Sequence, residues 1–155
     1  MNTKKINILL ADDDIDDCYF FKQALEELTL FSTLTTLNDG EELMNYLSEN
    51  VERLPDVLFH DINMPRKNGL ECLSEIKQNN KLKNLPVVMF STSKELETIN
   101  LLFKTGVHVY IHKPKDFEQL KQVIRHALPI ASEKIISKAP LKYILNAGNG
   151  RPKNR

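Results

Sequence analysis

The chain has 155 residues, enough for one domain with its own core, and its 21 basic residues cancel its 21 acidic ones. That balance gives no electrostatic case for nucleic acid or an anionic membrane as partner, and no apolar run is long enough to span a bilayer. The opening MNTKKINILLADDD is no signal peptide, because its apolar run is short and ends in acids.

Taken in chain order, the sequence alternates strand and helix. INILLA (6–11) is a continuous apolar run suited to a strand buried on both faces. From Asp16 to Leu30, Phe21, Leu25 and Leu28 recur at helical spacing. TLTTL (33–37) is a short β-branched run, and NDGEELMNYLSEN begins with capping residues and carries Leu43 and Leu47 one turn apart. DVLFHD (56–61) is the third strand, followed by a helix bearing Leu70, Leu73 and Ile76. PVVMFS (86–91) leads to a helix with Leu96, Ile99 and Phe103, and VHVYIH (107–112) to one with Phe117, Leu120, Val123 and Ile124. Units of this kind imply an α/β fold, a parallel sheet with helices on both faces and right-handed crossings. Cys18 and Cys72 fall within the helical patterns without metal spacing, so the expectation is buried free thiols in a reducing, cytoplasmic setting.

In such a sheet, ligands sit beyond the carboxyl ends of the strands, at a topological switch point. The first strand delivers Asp12, Asp13 and Asp14 there, the third Asp61, the fourth Ser91 and Thr92, and the fifth Lys113 before Pro114. VLFHDINMPRKNG (57–69) poses the problem most sharply, because an apolar strand ends on a carboxylate that is costly unless paired. Lys113 and a cation can supply the pairing. Carboxylates without cysteine or paired histidine ligands suit a hard cation bound by oxygens, Mg²⁺ above all.

The motifs ILLADDD, HDINMP with NG behind it, VVMFST and YIHKP, in that order, resemble the receiver domain of two-component response regulators over roughly residues 5–128. The resemblance implies a five-stranded, doubly wound, flavodoxin-like sheet of strand order 2-1-3-4-5. It implies that Asp61 accepts a phosphoryl group from a sensor histidine kinase. It implies that Asp13, with Asp12 assisting through water, holds Mg²⁺ together with Asp61 and the main-chain carbonyl of Asn63. Ser91 takes the place of the switch hydroxyl, Tyr110 that of the switch aromatic and Lys113 that of the phosphate-contacting lysine. Pro114 falls at a cis-proline turn of the family, and Asn63 and Ser93 at positions that modulate phosphoaspartate lifetime. Such a protein is no enzyme beyond catalysing its own phosphorylation and dephosphorylation. FSTSKELETI and YIHKPKDFEQL are similar to small regulators that serve phytochrome-type kinases, which often pair as homodimers.

Simpler roles compete with these. An aspartate among residues 12–14, or Asp16, can cap the first helix, Thr92 competes with Ser91 as the hydroxyl, and Tyr110 can be an ordinary half-buried aromatic. His60 and His112 replace the usual apolar residues. Strand alternation turns each away from the site residue that follows it, so a hydrogen-bonded core histidine is the expectation and a pH-sensitive element the alternative. A haloacid dehalogenase-type hydrolase would want an acid where Asn63 stands, and a phosphorylation-independent scaffold would lack one of Asp13, Asp61 or Lys113. A nucleotide or flavin site lacks its glycine-rich loop after the first strand.

The receiver is expected over residues 1–128, with a partly disordered extension over 129–155 that is too short for an output domain of at least ~50 residues. Ile135, Ile136, Leu141, Ile144 and Leu145 are expected to pack on the domain or a second subunit, Pro140 to interrupt any helix, and GNGRPKNR to form a mobile basic end.

Overall fold

Each apolar run becomes a strand and each periodic run a helix. The computed structural model describes residues 5–107, 109–132, 143–145 and 152–154. The elements are β1 (Ile6–Ala11), α1 (Ile15–Glu27), β2 (Ser32–Leu37), α2 (Gly40–Glu49), β3 (Val57–His60) and α3 (Gly69–Gln78). They continue as β4 (Val87–Ser91), α4 (Leu96–Thr105), β5 (Val109–His112), α5 (Phe117–Ser132), β6 (Tyr143–Leu145) and β7 (Pro152–Asn154). The sheet runs β2-β1-β3-β4-β5-β6-β7, with the first five strands parallel in the expected order.

Burial explains the pattern of the runs. β3 and β4 are buried at every position, which is why they read as unbroken apolar segments, whereas edge strand β2 alternates half-buried and exposed residues for most of its length. On one face, Phe21 and Ala24 of α1 pack with Val123, Ile124 and Ala127 of α5. Phe21 lies edge-on to Phe59 and Phe90, with centroids 5.0 and 5.9 Å away. On the other face, Leu43 and Leu47 of α2, Leu73 and Ile76 of α3 and Leu102 of α4 form the second layer.

Local chemistry sets the helix ends. Asp14 caps α1 by accepting from the Asp16 and Asp17 amides, Asp39 caps α2, and Asn68 with Glu71 forms a capping box on α3. Helix α1 stops earlier than its apolar spacing predicts, because Thr29 turns into the left-handed region at φ 54°. Gly106, at φ 129°, ends α4 where a side chain would be strained. Helix α5 instead runs past the expected end of the receiver at Leu128 and through Pro129. Leu128, Ile130 and Ala131 pack against the core, and that burial offsets the roughly 3 kcal/mol a helical proline costs.

The C-terminal segment differs from expectation in a specific way. β6, which contains Ile144 and Leu145, lies parallel to β5, and Pro152–Asn154 of the expected mobile end lies antiparallel to β6. The pairing covers the β5 edge, whose unpaired amides and carbonyls would otherwise face outward. Ile135, Ile136, Pro140 and Leu141 lie outside the described residues. So does most of GNGRPKNR. The described peptide bonds include no cis bond, so the Lys113–Pro114 link is trans, against the family expectation.

Gly69 opens α3 directly behind the end of β3. A Cβ there would stand 2.7 Å from the Asp61 carbonyl oxygen and 2.8 Å from the Ile62 Cα, both of them main-chain atoms unable to yield cheaply. Gly69→Ala is therefore expected to destabilise the fold by roughly 1–3 kcal/mol, read as a lower urea midpoint at unchanged slope.

Candidate functional site

The parallel ladder continues just past the last strand residues, and this extension carries the polar groups into place. The Asp12 amide donates to Leu37 O, the Asp61 amide to Ala11 O and the Lys113 amide to Ser91 O, at 2.8–2.9 Å. Three side chains are thereby delivered to one edge of the sheet by backbone geometry alone.

There the Lys113 ammonium lies 2.8 Å from Asp12 Oδ2, 2.8 Å from Asp17 Oδ2 and 3.2 Å from Asp61 Oδ2. It also sits 5.4 Å above the Phe90 ring. The Asp12 side chain is 1% exposed, those of Asp61 and Lys113 about a tenth, and that of Asp17 39%. Burial raises the Asp12 carboxyl from 3.8 to about 6, with Lys113 pulling the other way. Asp61 is raised by the same cause against the same opposition. Burial works against the Lys113 ammonium, but Asp12 and Asp17 outweigh it and hold the lysine above its usual value.

Asp12, Asp13 and Asp61 each place a carboxylate oxygen within 4.8 Å of the other two. Three acids this close, two of them buried, repel one another, and one lysine does not neutralise them. Oxygen donors at this spacing fit a hard divalent cation. The Asn63 amide donates to Asp61 Oδ1 at 3.3 Å, which folds that residue back beside the cluster.

The remaining candidates take two positions. Ser91 is fully buried and its hydroxyl accepts from the Ser93 amide at 3.2 Å, while Thr92 is exposed. Tyr110 is already inside, 1% exposed, and its hydroxyl donates to Ser93 O at 2.5 Å. Burial raises its pKa. Ser93 thus joins both switch candidates through its own main chain.

His60 is fully buried, in a cross-sheet row with Ala11, Met89 and Tyr110. Its Nδ1 lies 2.7 Å from Asp61 O and must carry the hydrogen, because a carbonyl only accepts. Nε2 is buried and has no hydrogen-bond partner among the described residues, and burial lowers the pKa to about 4, so the ring is neutral at physiological pH. His112 is half-buried at the end of β5, two strands away. Cys18 and Cys72 are free, with pKa values pushed up by burial to about 11 and about 12.

Sequence reasoning missed Asp17. The available signal was its place in the first turn of the helix that follows β1, which points its side chain back over the strand ends.

Comparison with known proteins places these residues in a family context. The model of the response regulator receiver domain matches residues 8–125. Response regulator Rcp1 of Synechocystis sp. is 32% identical over 123 residues, 76% of this chain and 83% of that protein. The probable methanogenesis regulatory protein FilR2 of Methanothrix harundinacea is 30% identical, over 76% of this chain and 77% of its own. Among solved structures, the phosphorylated cyanobacterial phytochrome response regulator RcpA aligns with a TM-score of 0.76 and 31% identity, covering 88% of this chain and all of that one. The Mn²⁺-bound form of Rcp1 aligns with a TM-score of 0.74 and 29% identity, covering 86% and 99%.

The electrostatics make a pH-dependent prediction. Asp12 has its native pKa raised above 3.8, so its burial favours the fold fully below that value, and the benefit is lost as pH rises through about 6. Lys113→Met removes the compensating charge. In chelator it should cost roughly 1–3 kcal/mol above pH 7 and less near pH 4, where Asp12 is protonated. Thermal melts of both proteins across that range check the sign.

Proposed function

The chain belongs to the response regulator receiver domain family of two-component signalling, and on that premise we propose that Asp61 is the residue that accepts the phosphoryl group. The observation that carries the proposal is the position of Asp61 at the carboxyl end of β3, 3.2 Å from the Lys113 ammonium and within the same carboxylate cluster as Asp12 and Asp13.

The donor is a phosphohistidine on a sensor histidine kinase, of the phytochrome type by the similarity to the phytochrome response regulator RcpA. An Asp61 carboxylate oxygen attacks phosphorus, the new O–P bond forms as the P–N bond breaks, and the imidazole nitrogen keeps the bonding pair and takes up a proton. Lys113 holds Asp61 in its charged, nucleophilic form against burial and neutralises charge gathering on the phosphoryl oxygens. Asp12, Asp13, Asp61 and the Asn63 carbonyl would hold Mg²⁺, which when bound supplies Lewis acidity toward those oxygens.

The phosphoryl group then draws the Ser91 hydroxyl toward Asp61. That hydroxyl accepts from Ser93, and Ser93 accepts from Tyr110, so the pull reaches the face formed by β5 and α4. Dephosphorylation is self-catalysed at the same site, with exposed Asn63 beside the acceptor. The protein works in the cytoplasm, and no helix among the described residues is long and apolar enough to cross a membrane.

Acetyl phosphate with Mg²⁺ is expected to add one phosphoryl group to the wild type and none to Asp61→Asn, read by intact-mass spectrometry. Asp13→Ala should also remove the rise in melting temperature that millimolar Mg²⁺ gives the wild type. Equal labelling of wild type and Asp61→Asn would refute the acceptor.

The signalling face carries apolar residues in water, with Leu96 61% and Leu101 45% exposed on α4. We read it as the contact of a twofold homodimer whose affinity phosphorylation shifts. Light scattering should give a dimer mass, strengthened by beryllofluoride and weakened by Leu101→Glu. Monomers under all conditions would exclude it.

A further inference from the structure

The ammonium of Lys113 has three hydrogens, and three carboxylates already take them. If Asp61 is the acceptor, as proposed above, the new charge appears beyond its carboxylate, and the lysine must move outward to meet it. Two anchors resist that movement, Asp12 from below and Asp17 from α1, each 2.8 Å from Nζ. They are not equivalent. The Asp12 side chain is 1% exposed, and losing the lysine would leave a buried carboxylate uncompensated. The Asp17 side chain is 39% exposed, and water replaces its lost partner at little cost.

We propose that Asp17 is a positioning residue of the phosphotransfer site: it tethers Lys113 in the resting protein and competes with the phosphoryl group on Asp61 for the same ammonium. Asp17 touches neither donor nor acceptor and acts only through Lys113. The first turn of α1 suits an acid at both Asp16 and Asp17, but of the two it is Asp17 that reaches the lysine. Asp14 serves as the helix cap, and exposed Asp16 gives its amide to that cap. The Asp17 side chain turns inward to the lysine, at the rim of a cleft that also takes in Phe20, Phe90 and Phe117. Removing the tether lowers the cost of the phosphorylated arrangement, because Lys113 no longer gives up a charged partner to reach it.

The test uses the full chain with beryllofluoride and Mg²⁺ as the phosphoryl mimic, titrated calorimetrically. Asp17→Asn keeps the shape and removes the charge, and should tighten binding about three- to tenfold, the range of one partly exposed charge-assisted hydrogen bond. Asp17→Glu restores a carboxylate and should return the affinity towards wild type. Asp16→Asn removes a charge one residue away that does not reach the lysine, and should change the affinity less than twofold, separating a tether from a general field. In a Lys113→Met background the Asp17→Asn effect should vanish, since the coupling runs through the lysine. Wild-type binding with an unchanged or weakened Asp17→Asn would overturn the tether and leave the acceptor assignment standing. Failure of the wild type to bind the mimic would overturn the acceptor assignment and the tether with it.

Discussion

Negative charge gathers at one edge of the sheet, where Asp12, Asp17 and Asp61 meet around the ammonium of Lys113 and Asp13 stands beside Asp12 and Asp61. Asp12 and Asp61 have both been drawn out of water, which pushes them toward protonation. Lys113 is the only cation in direct contact with them among the described residues, and it does not balance the cluster. The site is therefore short of positive charge. That deficit makes it receptive to a hard divalent cation and, with one present, able to take on a phosphoryl group.

The rest of the architecture keeps these groups from moving apart. Ladder bonds fix the main chain at Asp12, Asp61 and Lys113, so each side chain starts from a rigid point. The Asp61 peptide is held on both sides, its amide on Ala11 O and its carbonyl beside the His60 ring. Gly69 presses against that carbonyl closely enough to exclude a side chain, and its own amide donates to Ile62 O at 2.8 Å. The capping box at Asn68 and Glu71 anchors α3 behind this turn. On the far side of the loop, Arg66 lies 3.5 Å from Asp39 and ties the turn to the start of α2.

Ser93 ties Ser91 to Tyr110. Its amide bonds to the hydroxyl of Ser91 and its carbonyl receives the hydroxyl of Tyr110, so one main-chain unit links the sheet edge to the aromatic on β5. His60 occupies the same cross-sheet row as Tyr110, and its neutral, fully buried ring behaves as core with one polar contact. This answers the question the sequence left open about His60, whose titration lies well below physiological pH.

The sequence by itself determined the βα alternation, the strand ends and the residues carried on them. Those depend on local rules: unbroken apolar runs for strands buried on both faces, periodic apolar positions for helices, and acids, amides and glycine at the turns. Asp12, Asp13, Asp61 and Lys113 were legible because a parallel sheet presents its carboxyl ends along one edge. Other features were settled only by tertiary structure. Asp17 reads as one more helix-start acid until the packing of α1 beside α5 brings it to Lys113, 96 positions away. The buried Nε2 of His60, without a hydrogen-bond partner among the described residues, follows from which side of the sheet α2 to α4 cover. Helix α5 continues through Pro129, and β6 joins β5, because packing and edge pairing outweigh the local signals to stop. Local propensity is worth at most a few kcal/mol per residue, and buried contacts between distant segments exceed it wherever the two disagree.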